Sequence, residues 1–189
     1  PDVAQKRKDW NGLISGFKAS DLVFLEESRC NTDMTRRYAY SLGGSRAVDS
    51  APLSKPKSTT ILSSIRLDGT LRYTTFSGGT TVERFKRYLE TDLLPHLNGN
   101  SVLIKDNMKS HHAKAVRNLL DSSGIRYIYL PPYSPDLNPI KKLWSKVKAF
   151  LRKFKARTLD ALPNAIQNAF HAVTVSDCSG WFRFCGYAL

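Results

Sequence analysis

Residues 101–155 read SVLIKDNMKSHHAKAVRNLLDSSGIRYIYLPPYSPDLNPIKKLWSKVKAFLRKFK. Within them, residues 102–106 are a short run suited to a buried strand, ending on Asp106-Asn107. Period-two geometry puts Val102, Ile104 and Asp106 on one face. Residues 111–122 predict a helix with Ala115, Val116, Leu119 and Leu120 in one stripe and Gly124 as its C-terminal stop. Residues 125–130 predict a second strand. The Pro-rich loop 131–139 then leads into a basic helix. There Asn138 can cap, and Pro139 suits the first turn because its missing N–H costs nothing. Ile140, Leu143, Trp144, Val147, Phe150, Leu151 and Phe154 make the buried stripe of that helix, with Trp144 read as core. Lys141, Ser145, Lys148 and Arg152 fall at i, i+4, i+7 and i+11 and form a basic ridge, either a binding face or merely a solvated one.

Outward from this stretch, residues 21–26 predict another strand. Leu22-Val23-Phe24-Leu25 is apolar on both faces, as a strand inside a sheet requires, and alternation groups Leu22, Phe24 and Glu26. An acid closing such a run is either a strand-end surface residue or a site residue. Residues 58–67 and 71–76 flank Asp68-Gly69-Thr70 and read as a hairpin. Residues 39–56, rich in Ser, Gly and Pro, read as loop, and Gly43-Gly44 lacks the spacing of a phosphate cradle. Residues 81–97 predict a helix on Val82, Phe85, Leu89 and Leu93, disturbed or ended by Pro95. Residues 1–18 read as an N-terminal helix or linker with Val3, Trp10, Leu13 and Ile14 as its apolar contacts. Two closing helices, 158–172 and 175–184, would be capped by Thr158 and Ser176, with Trp181 in the core. The expected division is therefore 1–18, a main domain 19–157, and C-terminal helices 158–189 packed on it. Strand, hairpin, helix, strand, helix, strand, helix supports an α/β fold with a mixed sheet.

The 189 residues suffice for one core-bearing domain, and 41% hydrophobic with 24% charged residues excludes a disordered chain. Lys and Arg outnumber Asp and Glu by 29 to 16, a net charge of +13 that draws polyanions, nucleic acid above all. Cys30, Cys178 and Cys185 are an odd number without close pairs, which argues for a reducing compartment and against a disulfide framework. No zinc spacing, membrane-length run or apolar leader core is evident. The expected location is the cytoplasm, at the nucleoid.

YLPPYSPDLNPI followed by Lys142-Leu143-Trp144, after an apolar run ending in Asp106-Asn107, resembles the catalytic domain of mariner-type DDE transposases, in their bacterial insertion-sequence branch. Thr32 to Tyr38, TDMTRRY, matches the same family. The resemblance spans roughly residues 20–187 and implies a ribonuclease-H-like fold, a mixed β-sheet flanked by helices. It also implies a triad of two aspartates and a glutamate. These map onto position 26, onto Asp106 and onto position 141, with 34 residues between the last two. Here the triad reads Glu26, Asp106 and Lys141, so two of the three places depart from the family.

The implied chemistry is DNA cleavage and strand transfer by two Mg²⁺ (or Mn²⁺) ions, which hard oxygen ligands must hold. Glu26 and Asp106 would be the metal ligands. Glu26 adds a methylene to the usual aspartate, while Lys141 removes an anionic ligand, repels a cation and would pair with Asp106 or Glu26. Glu27 should point to the opposite strand face, and Asp136 is a conceivable substitute acid. His111 would touch phosphate or pack at a helix start. Arg36, Arg37, Lys148 and Arg152 are the DNA-binding candidates. The expectation is an impaired transposase domain. The alternatives are a DNA-binding regulatory partner without catalysis, or a ribonuclease-H-like nuclease, which the YSPDLNP loop disfavours. Partners would be transposon-end and target DNA. A homodimer is left open, as is an upstream helix-turn-helix domain, which family members carry before the point where Pro1 opens this sequence.

Overall fold

A strand with no polar face must be covered on both sides, and Leu22 to Leu25 sits accordingly in the middle of the sheet. The structure is a computed structural model that describes residues 2–36, 38–50 and 55–187. Helix α1 (Asp2–Ile14) leads to β1 (Leu22–Asn31), the hairpin β2 (Ser58–Arg66) and β3 (Leu71–Ser77), and α2 (Val82–Tyr88). Next come β4 (Val102–Lys105), α3 (Lys114–Ser123), β5 (Arg126–Tyr129), α4 (Ile140–Phe154), α5 (Ala161–His171) and α6 (Val175–Phe184). The five strands run in the order β3-β2-β1-β4-β5. β1, β4 and β5 are parallel, while β2 lies antiparallel to both β1 and β3. This is the predicted mixed sheet, with helices on each face.

Alternation along β1 divides the core in two. Leu22 and Phe24 pack with Ile140, Leu143 and Val147 of α4, and with Ile166 and Phe182 of α5 and α6. Val23 and Leu25 pack with Phe85, Tyr88, Val116 and Leu120 of α2 and α3. Strand β1 runs five residues past Glu26, because β2 pairs with it as far as Asn31↔Ser58. β4 stops at Lys105, opposite Leu25. Glu26 is thus mid-strand towards β2, yet the first unpaired position towards β4.

The winding after α2 is disturbed near Pro95, as expected: it widens over Leu89–Leu93, tightens over Leu94–His96 and stops at Leu97. Several local expectations are corrected. The helix expected from residue 111 is first a tight turn, Lys109–His112, with α3 starting at Lys114, because the His111 side chain is drawn fully inside. Ala115 lies outside the buried stripe of α3. Asn138 does not cap α4 with its side chain; Pro139 takes the cap position, and the Asn138 carbonyl accepts the Lys141 N–H at 3.0 Å. Leu13 and Phe154 are exposed, Phe154 stacking on Phe150 instead of entering the core. Helix α6 is capped by Thr174 in a reciprocal box with Asp177, not by Ser176.

Gly69 turns the β2–β3 hairpin at φ +86°, and a Cβ there would meet Val175 Cγ2 at 2.9 Å and Val175 Cα at 3.2 Å. Gly69→Ala is therefore expected to cost about 2 kcal/mol, from the left-handed backbone and the clash together. Urea unfolding checks this; an unchanged midpoint would contradict the tight seating of the turn on α6.

Candidate active site

Glu26 leaves β1 on the α4 face and is only 4% exposed. A carboxylate there needs donors, and the first turns of α4 supply two. The Lys141 ammonium donates to Oε1, and Trp144 Nε1 donates to Oε2 at 3.1 Å. Positions i and i+3 share a helix face, so both reach the same group. Burial pushes the Glu26 carboxyl above its ordinary range against the pull of Lys141 and Trp144.

Asp106 follows β4 directly. Its Oδ1 lies 2.7 Å from His111 Nδ1 and accepts the Met108 N–H at 3.1 Å. Burial pushes this carboxyl up, but His111, Met108 and Lys141 outweigh burial and hold it below the usual range. His111 is fully buried, with its ring stacked on Phe85 at 4.1 Å. Its Nε2 lies 3.2 Å from Glu27 Oε2, so the imidazole bridges two acids. Burial lowers its pKa; the hydrogen bonds and charges of Asp106 and Glu27 more than reverse that and lift it to about 9.

Glu26, Asp106 and Lys141 line one cavity of about 220 Å³, with Tyr133 and Asn138 on its loop wall. Three side chains from positions 26, 106 and 141 thus meet, and Lys141 chooses Glu26 as its partner. Glu27 points to the opposite face, as alternation requires, and serves His111. Asp136 is not a substitute acid: Arg7 of α1 holds it through contacts of 2.9 and 2.5 Å, outside the cavity lining. Lys148 and Arg152 continue along α4 away from the cavity, near enough to Cys30 to oppose the burial that lifts its thiol to about 11. Arg36 is exposed on the loop after β1, and Arg37 lies outside the described residues.

Two residues read as packing, Trp144 and His111, are indeed packed and have a polar contact besides. Trp144 is core at 5% exposed, yet its indole N–H is also a ligand of Glu26. His111 does pack, but its principal contact is Asp106. The available signal was that a buried indole N–H or imidazole needs a polar partner, and an acid was already placed nearby. Trp144→Phe keeps most of the packing and deletes one donor. It should cost about 1–2 kcal/mol at pH 7 and raise the Glu26 pKa further. Unchanged stability and an unchanged Glu26 titration by NMR would remove Trp144 from the site.

Both carboxylates are already matched by protein cations, and the third corner carries an ammonium. An ammonium has no lone pair to coordinate with, and it repels a cation placed beside it. Among the described residues no group of three or more His, Cys, Asp or Glu side chains is placed to hold a metal ion. As they stand, these residues do not fit a divalent pair. Among the described residues no helix is long and apolar enough to cross a membrane.

The family model described as DDE superfamily endonuclease matches residues 21–163. Over 97 residues the chain is 29% identical to the Transposable element Tc1 transposase of Caenorhabditis elegans, covering 49% of this chain and 36% of that protein. The structure of the Mos1 mariner paired end complex with Mn superposes with a TM-score of 0.80 at 20% identity, over 96% of this chain and 58% of that one. The catalytic domain of Mos1 mariner transposase superposes with a TM-score of 0.72 at 16% identity, over 96% and 86%. The five-stranded mixed sheet with its flanking helices is accordingly the ribonuclease-H-like fold of that domain. The chain spans about a third of the Tc1 protein and under two thirds of the Mos1 chain in the paired-end complex.

Proposed function

Because this chain belongs to the DDE superfamily of endonucleases, we propose that it is a transposase catalytic domain whose DNA cleavage and strand transfer are impaired by Lys141. The observation that carries the reading is the ion pair between Lys141 and the buried Glu26, at two of the three triad positions. Glu26 and Asp106 remain the carboxylates that would meet Mg²⁺ or Mn²⁺. Their hold is weakened because Lys141 offers a charge of the wrong sign and His111 already engages Asp106. The insertion-sequence branch rests on the 34 residues between Asp106 and position 141. In this reading the protein works in the cytoplasm on nucleoid DNA. Its partners are transposon-end and target DNA, with room for a second copy and for a separate helix-turn-helix module. Arg36, Arg37, Lys148 and Arg152 are the basic residues assigned to DNA.

The test is cleavage of DNA carrying the element's ends, with Mg²⁺ or Mn²⁺. The unmodified chain should leave the DNA intact, and Glu26→Asp with Lys141→Glu should restore metal-dependent nicking. Efficient Mg²⁺-dependent turnover by the unmodified chain would sink the claim of impairment.

A second reading, a DNA-binding regulatory partner without catalysis, is favoured by the net charge of +13 and by an ammonium facing the cavity. It predicts tight, salt-dependent DNA binding that EDTA does not alter, and no recovery of cleavage in the double variant.

A further inference from the structure

A second polar cavity lies on the other face of the sheet. Ser64 and Arg66 fall on one face of β2 at period two, and the pairing Ser64↔Arg72 adds Arg72 from β3. Tyr88 of α2 covers this face, its hydroxyl 2.8 Å from the Arg72 carbonyl and 3.2 Å from Ser64 Oγ. Past Tyr88, the turn at Leu93 and His96 closes a cavity of about 230 Å³ that Ser64, Arg66, Thr70 and Arg72 line from the hairpin side.

Two guanidinium groups share this space with few partners. Arg66 donates from Nη2 to the Ser20 carbonyl at 3.2 Å. The Nε–H groups of Arg66 and of Arg72 are both shielded from solvent without a hydrogen-bond acceptor. Among the described residues neither arginine forms an ion pair. Of the acids on neighbouring segments, Asp68 accepts the Thr70 N–H at 2.8 Å and Asp92 accepts the Thr91 hydroxyl at 2.7 Å. Two like charges lining one cavity, each with a desolvated and unsatisfied Nε–H, are unfavourable until an anion offsets them. Planar N–H forks fit an oxyanion of phosphate geometry, and Ser64 and Thr70 add hydroxyls.

We propose that this cavity is a phosphate-binding site, taking a phosphodiester of a nucleic-acid backbone or a free phosphate. It is separate from the cavity at Glu26. Arg66 pairs with Val23, three residues or about 10 Å back along β1, and it lies on the α2 face, whereas Glu26 faces α4. The proposal stands whether or not the reading of the Glu26 site does.

The test follows the Arg Nε–H signals of the unmodified chain by ¹⁵N NMR, titrating inorganic phosphate in one series and duplex DNA in another. The Arg66 and Arg72 signals should shift saturably. If DNA moves them and displaces phosphate, the ligand is a nucleic-acid backbone; if phosphate alone moves them, it is free phosphate. Arg66→Gln with Arg72→Gln should weaken binding at least about tenfold, the scale of one charge-assisted hydrogen bond. Should that pair fail to fold, Arg66→Lys with Arg72→Lys keeps the charges, removes the forks and should still weaken binding. No saturable shift with either titrant, or undiminished phosphate affinity in the variants, overturns the proposal.

Discussion

Lys141→Glu should lower the melting temperature of the metal-free chain by about 10 °C, and Mn²⁺ should restore most of the loss. The substitution removes the cation facing Glu26, which is 4% exposed, and brings a third carboxylate into the cavity shared with Asp106. Lys141 is itself about half exposed, so water screens its own charge, and the cost falls on the buried partner. Stranding a buried carboxylate and adding a like charge comes to about 3 kcal/mol, and each kcal/mol moves the melting point of a chain this size by about 2–4 °C. Three carboxylates are also a ligand set that Mn²⁺ can use, and free ion at about 100 times its Kd returns roughly 2.7 kcal/mol. Differential scanning calorimetry with EDTA and with Mn²⁺ reads both effects. Equal melting points for variant and unmodified chain in EDTA would show that the Lys141–Glu26 pair contributes nothing.

His111→Phe is expected to cost about 3 kcal/mol at pH 7 and to abolish a pH-dependent part of the stability. Phe keeps the stack on Phe85 but leaves Glu27 and Asp106 without their shared cation. In the folded chain His111 titrates near 9, against 6.5 unfolded. A folded pKa raised above the unfolded one gives stability that is complete below about 6.5 and is lost as pH climbs to about 9. At 1.36 kcal/mol per unit this is roughly 3 kcal/mol. Lys105 opposes it at the upper end. Burial lowers its pKa to about 8, so its unfavourable contribution persists below 8 and is relieved above that. The decline due to His111 is therefore cleanest between pH 6.5 and 8. Urea midpoints across that range should fall for the unmodified chain and stay flat for the variant. Parallel curves would mean that His111 is neutral in the fold.

Leu22 to Leu25 and residues 102–104 were legible as central strands because nothing polar interrupts them, and a strand buried on both faces reads that way in any sequence. The meeting of positions 26, 106 and 141 was legible only through resemblance, since no local spacing rule joins Glu26 to Lys141, 115 positions away. What stayed hidden depends on tertiary pairing. The end of β1 is set by β2, and it cannot be read from β1's own residues. Asn138 carries every local mark of a cap, yet its side chain is turned into the cavity wall and Oδ1 is left without a partner. Asp136 lies five positions from Lys141, but Arg7, 129 residues away in sequence, decides where it points. His111 and Trp144 are apolar by burial and polar by contact, and hydrophobic periodicity records only the first of these.

The measurement that meets the central claim most directly is electron paramagnetic resonance of Mn²⁺ titrated into the unmodified chain, beside the variant carrying Glu26→Asp and Lys141→Glu. An ammonium in the third ligand's place predicts that the unmodified chain leaves the signal of free Mn²⁺ undiminished at millimolar metal, while the variant takes the ion up. Two Mn²⁺ ions held tightly by the unmodified chain, and released by Asp106→Asn, would contradict the account.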